Sequence, residues 1–210
     1  MNNDKKIIAV SEQTGISVKE LNRLNHDLWY HGTTIEDAEN IQKNGVLADY
    51  NLGDALDFGP GFYLTDTYQR AMSFISRKPS ITSTGELQHF QDMAIITFSF
   101  NPFDLIFQTD AHYSFHNFSK HSEDFANFVF FNRLYNTENE NPHNFDIIWG
   151  VMSDNNPFKI IMDYKSNLLT KTDAIALLQK SNSMRQLFIA NQEICNILKI
   201  KEITRGGLLQ

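Results

Sequence analysis

The stretch Asp57–Thr65, DFGPGFYLT, sets two glycines and a proline directly before Phe62 and Tyr63. A glycine lets the main chain turn sharply or approach a ligand closely, because it has no Cβ atom. Aromatic rings fill protein cores, and a tyrosine ring can also stack on a flat heterocycle. The stretch therefore predicts either a tight turn that leads into a core strand or a backbone that lies against a ligand. These residues alone do not separate the two interpretations.

The overall composition indicates a folded, acidic domain. Hydrophobic residues make up 41% and aromatic residues 12% of the 210-residue chain, which excludes an intrinsically disordered protein. The net charge of -7 argues against a broad phosphate-binding surface, so nucleic acid is not an expected partner. The single cysteine, Cys195, excludes an intramolecular disulfide and an all-cysteine zinc site. Because no apolar run reaches the roughly 18 residues of a membrane span, we expect a cytoplasmic protein without a membrane partner.

Strand and helix patterns follow one another irregularly along the chain, which predicts the α+β fold class. The patterns predict strands at DLWYH (27–31), AIITFSF (94–100), FDIIWG (145–150) and RQLFIAN (185–191). They predict helices at TTIEDAENIQKNG (33–45), TYQRAMSFISRK (67–78), SEDFANFVFFNRLYN (122–136), FKIIMDYK (158–165), TKTDAIALLQK (170–180) and QEICNILKI (192–200).

Several residues mark the ends and faces of these helices. Thr33 and Glu36 have the spacing of a capping box, and Gly45 is placed to end the same helix. Ala71, Phe74 and Ile75 are predicted to share the buried face of the helix at 67–78.

The sequence predicts two parts, a short helical N-terminal segment at 1–26 and a main domain at 27–210. Ser17 and Glu20 have capping-box spacing, with Gly15 between two short helical patterns. The segment is either half of a DNA-binding helix-turn-helix or a helical pair that packs on the main domain. The second interpretation is favoured, because a recognition helix needs basic or amide side chains at its start and this helix has only Lys19 there.

Three groups of residues are candidates for binding or chemistry. His31, Gly32 and Thr33 stand between a predicted strand and a predicted helix, where a ring nitrogen, a free backbone and a hydroxyl suit a ribose or an amide. A buried histidine beside a helix cap explains them equally well. Tyr63 follows the glycines. Gln186 begins a strand and can hydrogen-bond hydroxyl groups, although a half-exposed strand residue is the commoner outcome.

A metal site is the weaker alternative for the remaining histidines. His112 and His116, in AHYSFHNFSKH, have the spacing of two ligands on one helix face. The surrounding serines and asparagines favour a solvated loop, so no metal is expected. The sequence also shows no phosphate-binding glycine loop and no nucleophile elbow.

Taken together, YHGT at Tyr30–Thr33, GPGFYLT at Gly59–Thr65 and QLFIAN at Gln186–Asn191 resemble the ADP-ribosyltransferase superfamily. The matching branch has a triad of His, Tyr and then Glu or a substitute. More closely, the chain resembles the DUF3990 family of bacterial proteins, to which DFGPGFYLT and FDIIWGVMSDN (145–155) also correspond. The resemblance covers about residues 28–203.

The resemblance implies split, mostly antiparallel β-sheets with flanking helices and a cleft for NAD. In that arrangement His31 would hydrogen-bond a ribose hydroxyl, with Gly32 and Thr33 beside it on the cofactor. Gly61 and Phe62 would also lie against NAD, and Tyr63 would stack on the nicotinamide ring. Gln186 would take the third catalytic position after His31 and Tyr63. NAD is then a substrate, and no metal is implied.

The expected function is therefore NAD-dependent mono-ADP-ribosyl transfer to an unidentified acceptor, alone or together with NAD hydrolysis. Gln186 stands where a carboxylate is usual, which argues against polymer formation. The alternative is a catalytically silent module that binds NAD, ADP-ribose or a peptide. Such families include toxins with cognate inhibitors, so an inhibitor protein is a candidate partner.

Overall fold

The computed structural model describes residues 3–49, 56–77, 92–110, 112–135, 143–153, 156–180 and 184–206. Within these residues the chain has a mixed α+β fold with nine helices and two sheets, which confirms the predicted fold class. The chain divides into two compact units. The first comprises Met1–Val46, Leu64–Ala111 and Glu193–Gln210, and the second comprises Leu47–Tyr63 and His112–Gln192.

The helices are α1 (Asn3–Thr14), α2 (Val18–Leu24), α3 (Ile35–Asn44), α4 (Tyr68–Arg77), α5 (Pro102–Phe107), α6 (Glu123–Tyr135), α7 (Pro157–Lys165), α8 (Lys171–Leu178) and α9 (Gln192–Ile197). The strands are β1 (Leu28–Thr34), β2 (Phe62–Leu64), β3 (Met93–Ser99), β4 (Phe115–Phe118), β5 (Ile147–Val151), β6 (Arg185–Ile189) and β7 (Lys199–Arg205). None of these helices is long and apolar enough to cross a membrane.

The first unit is built on an antiparallel sheet in the order β1-β3-β7. The central strand β3 is buried at every position except Ser99, as its run of β-branched and aromatic residues requires. Helices α3 and α4 pack on this sheet.

Ala71 and Ile75 of α4 are buried as predicted, but Phe74 is 37% exposed. The placement of Phe74 on the buried face was wrong, because Phe74 precedes Ile75 by one residue and points about 100° away from it around the helix.

Strand β1 runs three residues further than the sequence predicted, and this moves the start of α3. The pairing with β3 continues to Thr34, opposite Met93. Thr34 is therefore the N-cap in place of Thr33, and its Oγ1 accepts a hydrogen bond of 3.0 Å from the Asp37 backbone N–H. The predicted pairing of Thr33 with Glu36 was off by one residue. Gly45 ends the helix as predicted, and its N–H donates to the Ile41 carbonyl.

Helices α1 and α2 belong to the first unit. Ser17 caps α2 by accepting a hydrogen bond of 3.3 Å from the Glu20 N–H, as its position predicted. Leu21 and Leu24 of α2 are fully buried, and α2 packs against α5. The sequence boundary between 1–26 and 27–210 stays a prediction.

The second unit is built on a mixed sheet in the order β2-β6-β5-β4, with β5 antiparallel to β6 and parallel to β4. Helices α6, α7 and α8 pack on one another in this unit. Its core is aromatic, with Phe58, Phe125 and Phe188 fully buried. Asn132 and Arg133 of α6 are buried beside this aromatic core.

Two strands were absent from the sequence prediction. The segment around His116, expected to be a solvated loop, forms β4 and pairs with β5, with His116 opposite Ile148. The residues after Ile197, expected to continue the last helix, form β7 along β3. Each of these strands lies at the edge of its sheet and carries many polar side chains. The alternation of apolar and polar residues is therefore weak, and the sequence did not indicate a strand.

The packing explains why β2 is preceded by a glycine. A Cβ on Gly61 would lie 2.1 Å from Cε2 of Phe188, so the β6 ring occupies the space that any side chain would need. The close approach of Gly61 is thus to the protein's own core. This finding favours the tight-turn interpretation of the glycine and leaves ligand contact as a prediction.

Gly61→Ala is expected to lower the free energy of unfolding by about 1–3 kcal/mol, because the new methyl group forces the Phe188 ring to move. Urea unfolding of the purified variant measures the loss. The double variant Gly61→Ala/Phe188→Leu should cost less than the sum of the two single variants, since the smaller side chain frees the space. Strictly additive losses would show that the ring is not the obstacle.

Candidate functional site

The side chain of Asp57 is the centre of a buried polar cluster in the second unit. Its carboxylate accepts hydrogen bonds from Arg133 Nε and Nη2 at 3.0 and 2.7 Å, and from Gln186 Nε2 at 3.2 Å. The Ser153 N–H donates to the same carboxylate at 2.8 Å, and the Ser153 hydroxyl donates as well. We call Asp57, Arg133, Ser153 and Gln186 the Asp57 cluster.

The cluster is held by an ion pair away from solvent. Asp57 is 5% exposed and Arg133 is 7% exposed. A buried carboxylate is costly unless a counter-charge and enough donors surround it. Here the guanidinium of Arg133 supplies two donors and the counter-charge, so the pair of Asp57 and Arg133 carries no net charge.

Helix α6 brings Arg133 to this position together with its neighbour. Asn132 Nδ2 donates to the Asp57 carbonyl at 3.2 Å and to the Phe128 carbonyl at 3.0 Å. The sequence alone did not indicate a role for Asp57, Asn132, Arg133 or Ser153. The available signal was a pair of polar residues, Asn132 and Arg133, inside the otherwise apolar FVFFNRLY.

Tyr63 holds the turn that begins at Asp57. Its hydroxyl donates to the Gly59 carbonyl at 2.7 Å and accepts from the Phe58 N–H at 3.2 Å. Gly59 has a φ of +86°, which glycine adopts without strain. The Tyr63 ring centroid lies 5.2 Å from that of Phe188. Burial raises the pKa of the Tyr63 hydroxyl well above its usual value, and the negative charge of Asp57 raises it further, so the hydroxyl stays a donor at neutral pH.

Gln186 lies next to this turn on the adjacent strand. It stands opposite Gly150 in the pairing of β6 with β5, and its side chain is buried, with 6% exposure. The expectation of a half-exposed strand residue was wrong, because the amide nitrogen is directed inward to Asp57. Phe62, also proposed to contact the cofactor, is 7% exposed.

The other predicted group lies in the first unit, on β1. His31 is partly buried and stands opposite Ile96 of β3. Thr33 donates from Oγ1 to Asp37 Oδ2 at 3.2 Å. A Cβ on Gly32 would lie 2.7 Å from Ile75 Cγ2, so helix α4 packs directly on the glycine.

Backbone pairing holds the predicted motifs in place within each unit. Tyr30, the residue before His31, forms an antiparallel bridge with Thr65, with hydrogen bonds of 3.0 and 2.8 Å. In the second unit, β2, which contains Phe62 and Tyr63, lies beside β6, which contains Gln186.

Two histidines of the second unit, His116 and His143, lie near the same turn; of these, only His116 was considered from the sequence, as a metal ligand. His143 donates from Nε2 to the Phe58 carbonyl at 2.7 Å and accepts from the Phe145 N–H at Nδ1 over 3.1 Å. The His116 ring stacks on Phe145 with centroids 4.8 Å apart. Burial lowers the pKa of both histidines, and the charge of His116 lowers the pKa of His143 further. The two rings therefore favour the neutral form.

A comparison of the sequence with protein-family profiles identifies its family. The sequence profile described as "Protein of unknown function (DUF3990)" matches residues 29–200. The chain belongs to the DUF3990 family. No curated protein and no solved structure matches it.

The matched region of this DUF3990 protein contains every residue predicted for the site, from His31 to Gln186. The last residues of the FDIIWGVMSDN motif, Asp154 and Asn155, lie outside the described residues. Among the described residues, no group of three or more His, Cys, Asp and Glu side chains is placed to hold a metal ion.

Arg133→Met is expected to lower the free energy of unfolding by about 3–5 kcal/mol, because it leaves the Asp57 carboxylate buried without a counter-charge. Urea unfolding measures the change. Lys159→Met is the control: Lys159 pairs with Asp163 at the surface, its side chain is 66% exposed, and its loss should cost less than about 0.5 kcal/mol. Similar losses in both variants would contradict a special role for the buried pair.

Stability is also expected to fall as the pH drops below 6.5, the ordinary pKa of a histidine. Since the folded protein lowers the pKa of His143, the unfolded chain binds more protons between that lowered pKa and 6.5, and stability rises with pH in this window. Urea unfolding at about pH 7.5, about 6.5 and about 5.5 measures the slope. His143→Gln keeps a donor for Phe58 but does not titrate, so its slope should be shallower. An identical slope would assign the pH dependence to other groups.

Proposed function

We propose that this DUF3990 protein is an NAD-dependent mono-ADP-ribosyltransferase of ADP-ribosyltransferase-like fold. The observation that supports the proposal is that two of the motifs meet within the second unit: β2, which carries Tyr63, lies beside β6, which carries Gln186. Motifs that share a chemical task are expected to meet through the fold even when they are far apart in sequence. The acceptor of ADP-ribose is a macromolecule or small molecule that these residues do not specify.

The proposed reaction needs positioning more than acid or base groups. Breaking the nicotinamide–ribose bond develops positive charge on the sugar, and hydrogen bonds and fixed geometry stabilise that charge without a metal. In this proposal His31 binds a ribose hydroxyl and Tyr63 stacks on the nicotinamide ring. Gln186 contacts the hydroxyls of the nicotinamide ribose.

Neighbouring residues complete the proposed contacts with NAD. Gly32 and Thr33 lie beside His31 on β1, and Gly61 and Phe62 lead directly to Tyr63. Because an amide cannot take up a proton near neutral pH, Gln186 suits single transfer or NAD hydrolysis better than polymer formation. A cognate inhibitor protein and a cytoplasmic site of action are part of the same proposal.

A second candidate function is favoured by the Asp57 cluster. Gln186 already donates to Asp57, and the negative charge of Asp57 is paired with Arg133. A site without a free carboxylate can hold NAD, ADP-ribose or a peptide without turning NAD over. Where the ligand is NAD, the proposed binding residues are the same in both cases and the two functions differ only in turnover.

The experiment is incubation of the purified protein with NAD labelled in its adenosine half, with and without bacterial lysate. Label on a discrete acceptor supports transfer, and nicotinamide release without label supports hydrolysis. NAD binding in a calorimeter without release supports the silent module. Failure to bind NAD at about millimolar concentration, a free energy of only about -4 kcal/mol, would exclude the transferase and leave the silent module only with ADP-ribose or a peptide as its ligand.

Tyr63 variants separate ligand stacking from packing. Tyr63→Leu removes the aromatic face and should weaken NAD binding by about 5- to 100-fold, the range that base stacking on an aromatic ring supplies. Tyr63→Phe keeps the ring and should bind NAD normally, but it should lose about 1–2 kcal/mol of stability because its hydroxyl bonds to Gly59 and Phe58 are gone. Calorimetry and urea unfolding give the two quantities. Equal NAD affinity of both variants would place Tyr63 in the core only.

A further inference from the structure

We infer that Asp57 is a positioning residue that decides which end of the Gln186 amide faces a ligand. The inference rests on the proposed function and deepens it, because it names the hydrogen-bonding polarity of the third site position. Asp57 keeps the amide nitrogen on the protein side and leaves the carbonyl oxygen as the acceptor for a ligand hydroxyl.

The contacts of Asp57 fix the orientation of the amide. The carboxylate paired with Arg133 can only accept hydrogen bonds, so the group that Gln186 presents to it must be the NH2. The carboxylate itself is held by Arg133 at Oδ1 and by the Ser153 N–H at Oδ2. Because these partners come from two different segments of the chain, Asp57 has no freedom to turn away from Gln186.

The fixed nitrogen determines the role of the oxygen. A side-chain amide is planar, with its oxygen and nitrogen on opposite sides of the carbon that joins them. Among the described residues, Gln186 makes its side-chain hydrogen bond to Asp57 through Nε2, and Oε1 has no hydrogen-bond partner. Oε1 is therefore the atom available to a hydroxyl donor. The ligand class that fits is a sugar whose hydroxyl donates a hydrogen bond, as the ribose of NAD can.

The same geometry explains why glutamine suits this position better than glutamate. A glutamate at 186 would set a second carboxylate about where Nε2 now lies, 3.2 Å from Oδ2 of Asp57. Two buried carboxylates at that distance cannot both stay ionised without a large cost. Asp57 therefore carries the one negative charge at this position, and Gln186 presents an uncharged hydrogen-bond acceptor.

An exchange of the two groups tests the inference. In Asp57→Asn, Arg133 retains Oδ1, so the new NH2 takes the place of Oδ2 and gives up the hydrogen bond from the Ser153 N–H. The same NH2 faces residue 186, so the Gln186 amide must turn over, and its NH2 then faces the ligand. NAD binding should weaken by about 10-fold, the effect of one lost hydrogen bond. In Asp57→Asn/Gln186→Glu, the asparagine NH2 donates to one glutamate oxygen and the other faces the ligand, so affinity should return to within about 3-fold of the wild type.

Asp146→Asn is the matched control. Asp146, in the same unit, accepts from Ser114 N at 2.7 Å and from Asn191 Nδ2 at 2.9 Å, and it contacts none of the proposed NAD-binding residues in these bonds. Its substitution should lower stability and leave the calorimetric Kd for NAD unchanged. Urea unfolding of each variant shows that it is folded when its affinity is measured.

The outcomes separate this inference from the proposed function. Loss of affinity in Asp57→Asn and its return in the double variant support the inference. Normal affinity in Asp57→Asn, or no return in a folded double variant, overturns it and leaves the proposed function standing. If the wild type does not bind NAD, the proposed function fails, and the Gln186 side-chain amide NMR signals decide the orientation. These signals must move in Asp57→Asn and stay in place in Asp146→Asn; any other result overturns the inference.

Discussion

The ion pair between Asp57 and Arg133 is the interaction on which the rest of the second unit's site depends. Either charge alone would be costly at 5% and 7% exposure, so the turn that carries Asp57 and the helix that carries Arg133 must be in place together. Ser153, after β5, and Gln186, on β6, donate to the same carboxylate. One buried group therefore ties together four segments that are distant in sequence, and it does so at the point where the candidate site lies.

The turn that follows Asp57 is held by hydrogen bonds to its backbone. Tyr63 uses its hydroxyl to bind Gly59 and Phe58, and His143 donates to the Phe58 carbonyl. The rings of Phe58 and Phe188 fill the space beneath. A turn fixed in this way does not need a ligand to take up its conformation. Any ligand that binds here meets a preformed surface, which reduces the entropy that binding must offset.

Local patterns were enough to predict the α+β class, because turns, caps and hydrophobic periods lie within a few residues of one another. The DUF3990 membership was predicted from a resemblance of short motifs such as DFGPGFYLT to that family. Gly45, for example, ends α3 as its position predicted. Long-range contacts were not predictable. The strand pairing of Thr34 with Met93 moved the cap of α3 by one residue. The role of Asp57 depends on Arg133, which lies 76 positions later in the chain. The role of Gly61 also depends on Phe188, which lies 127 positions later in the chain.

The charge balance of the Asp57 cluster limits the chemistry that the candidate site can perform. A free carboxylate about 4 Å from a developing cation contributes about 4 kcal/mol at an effective dielectric constant of about 20. In this chain the charge of Asp57 faces the guanidinium of Arg133, so most of that attraction is cancelled at the ligand. Gln186 can offer a ligand only the dipole of its amide, which is the weaker stabiliser of positive charge. Under the proposed function, the arrangement suits the binding of ribose hydroxyls, and cleavage of NAD is expected to be slow.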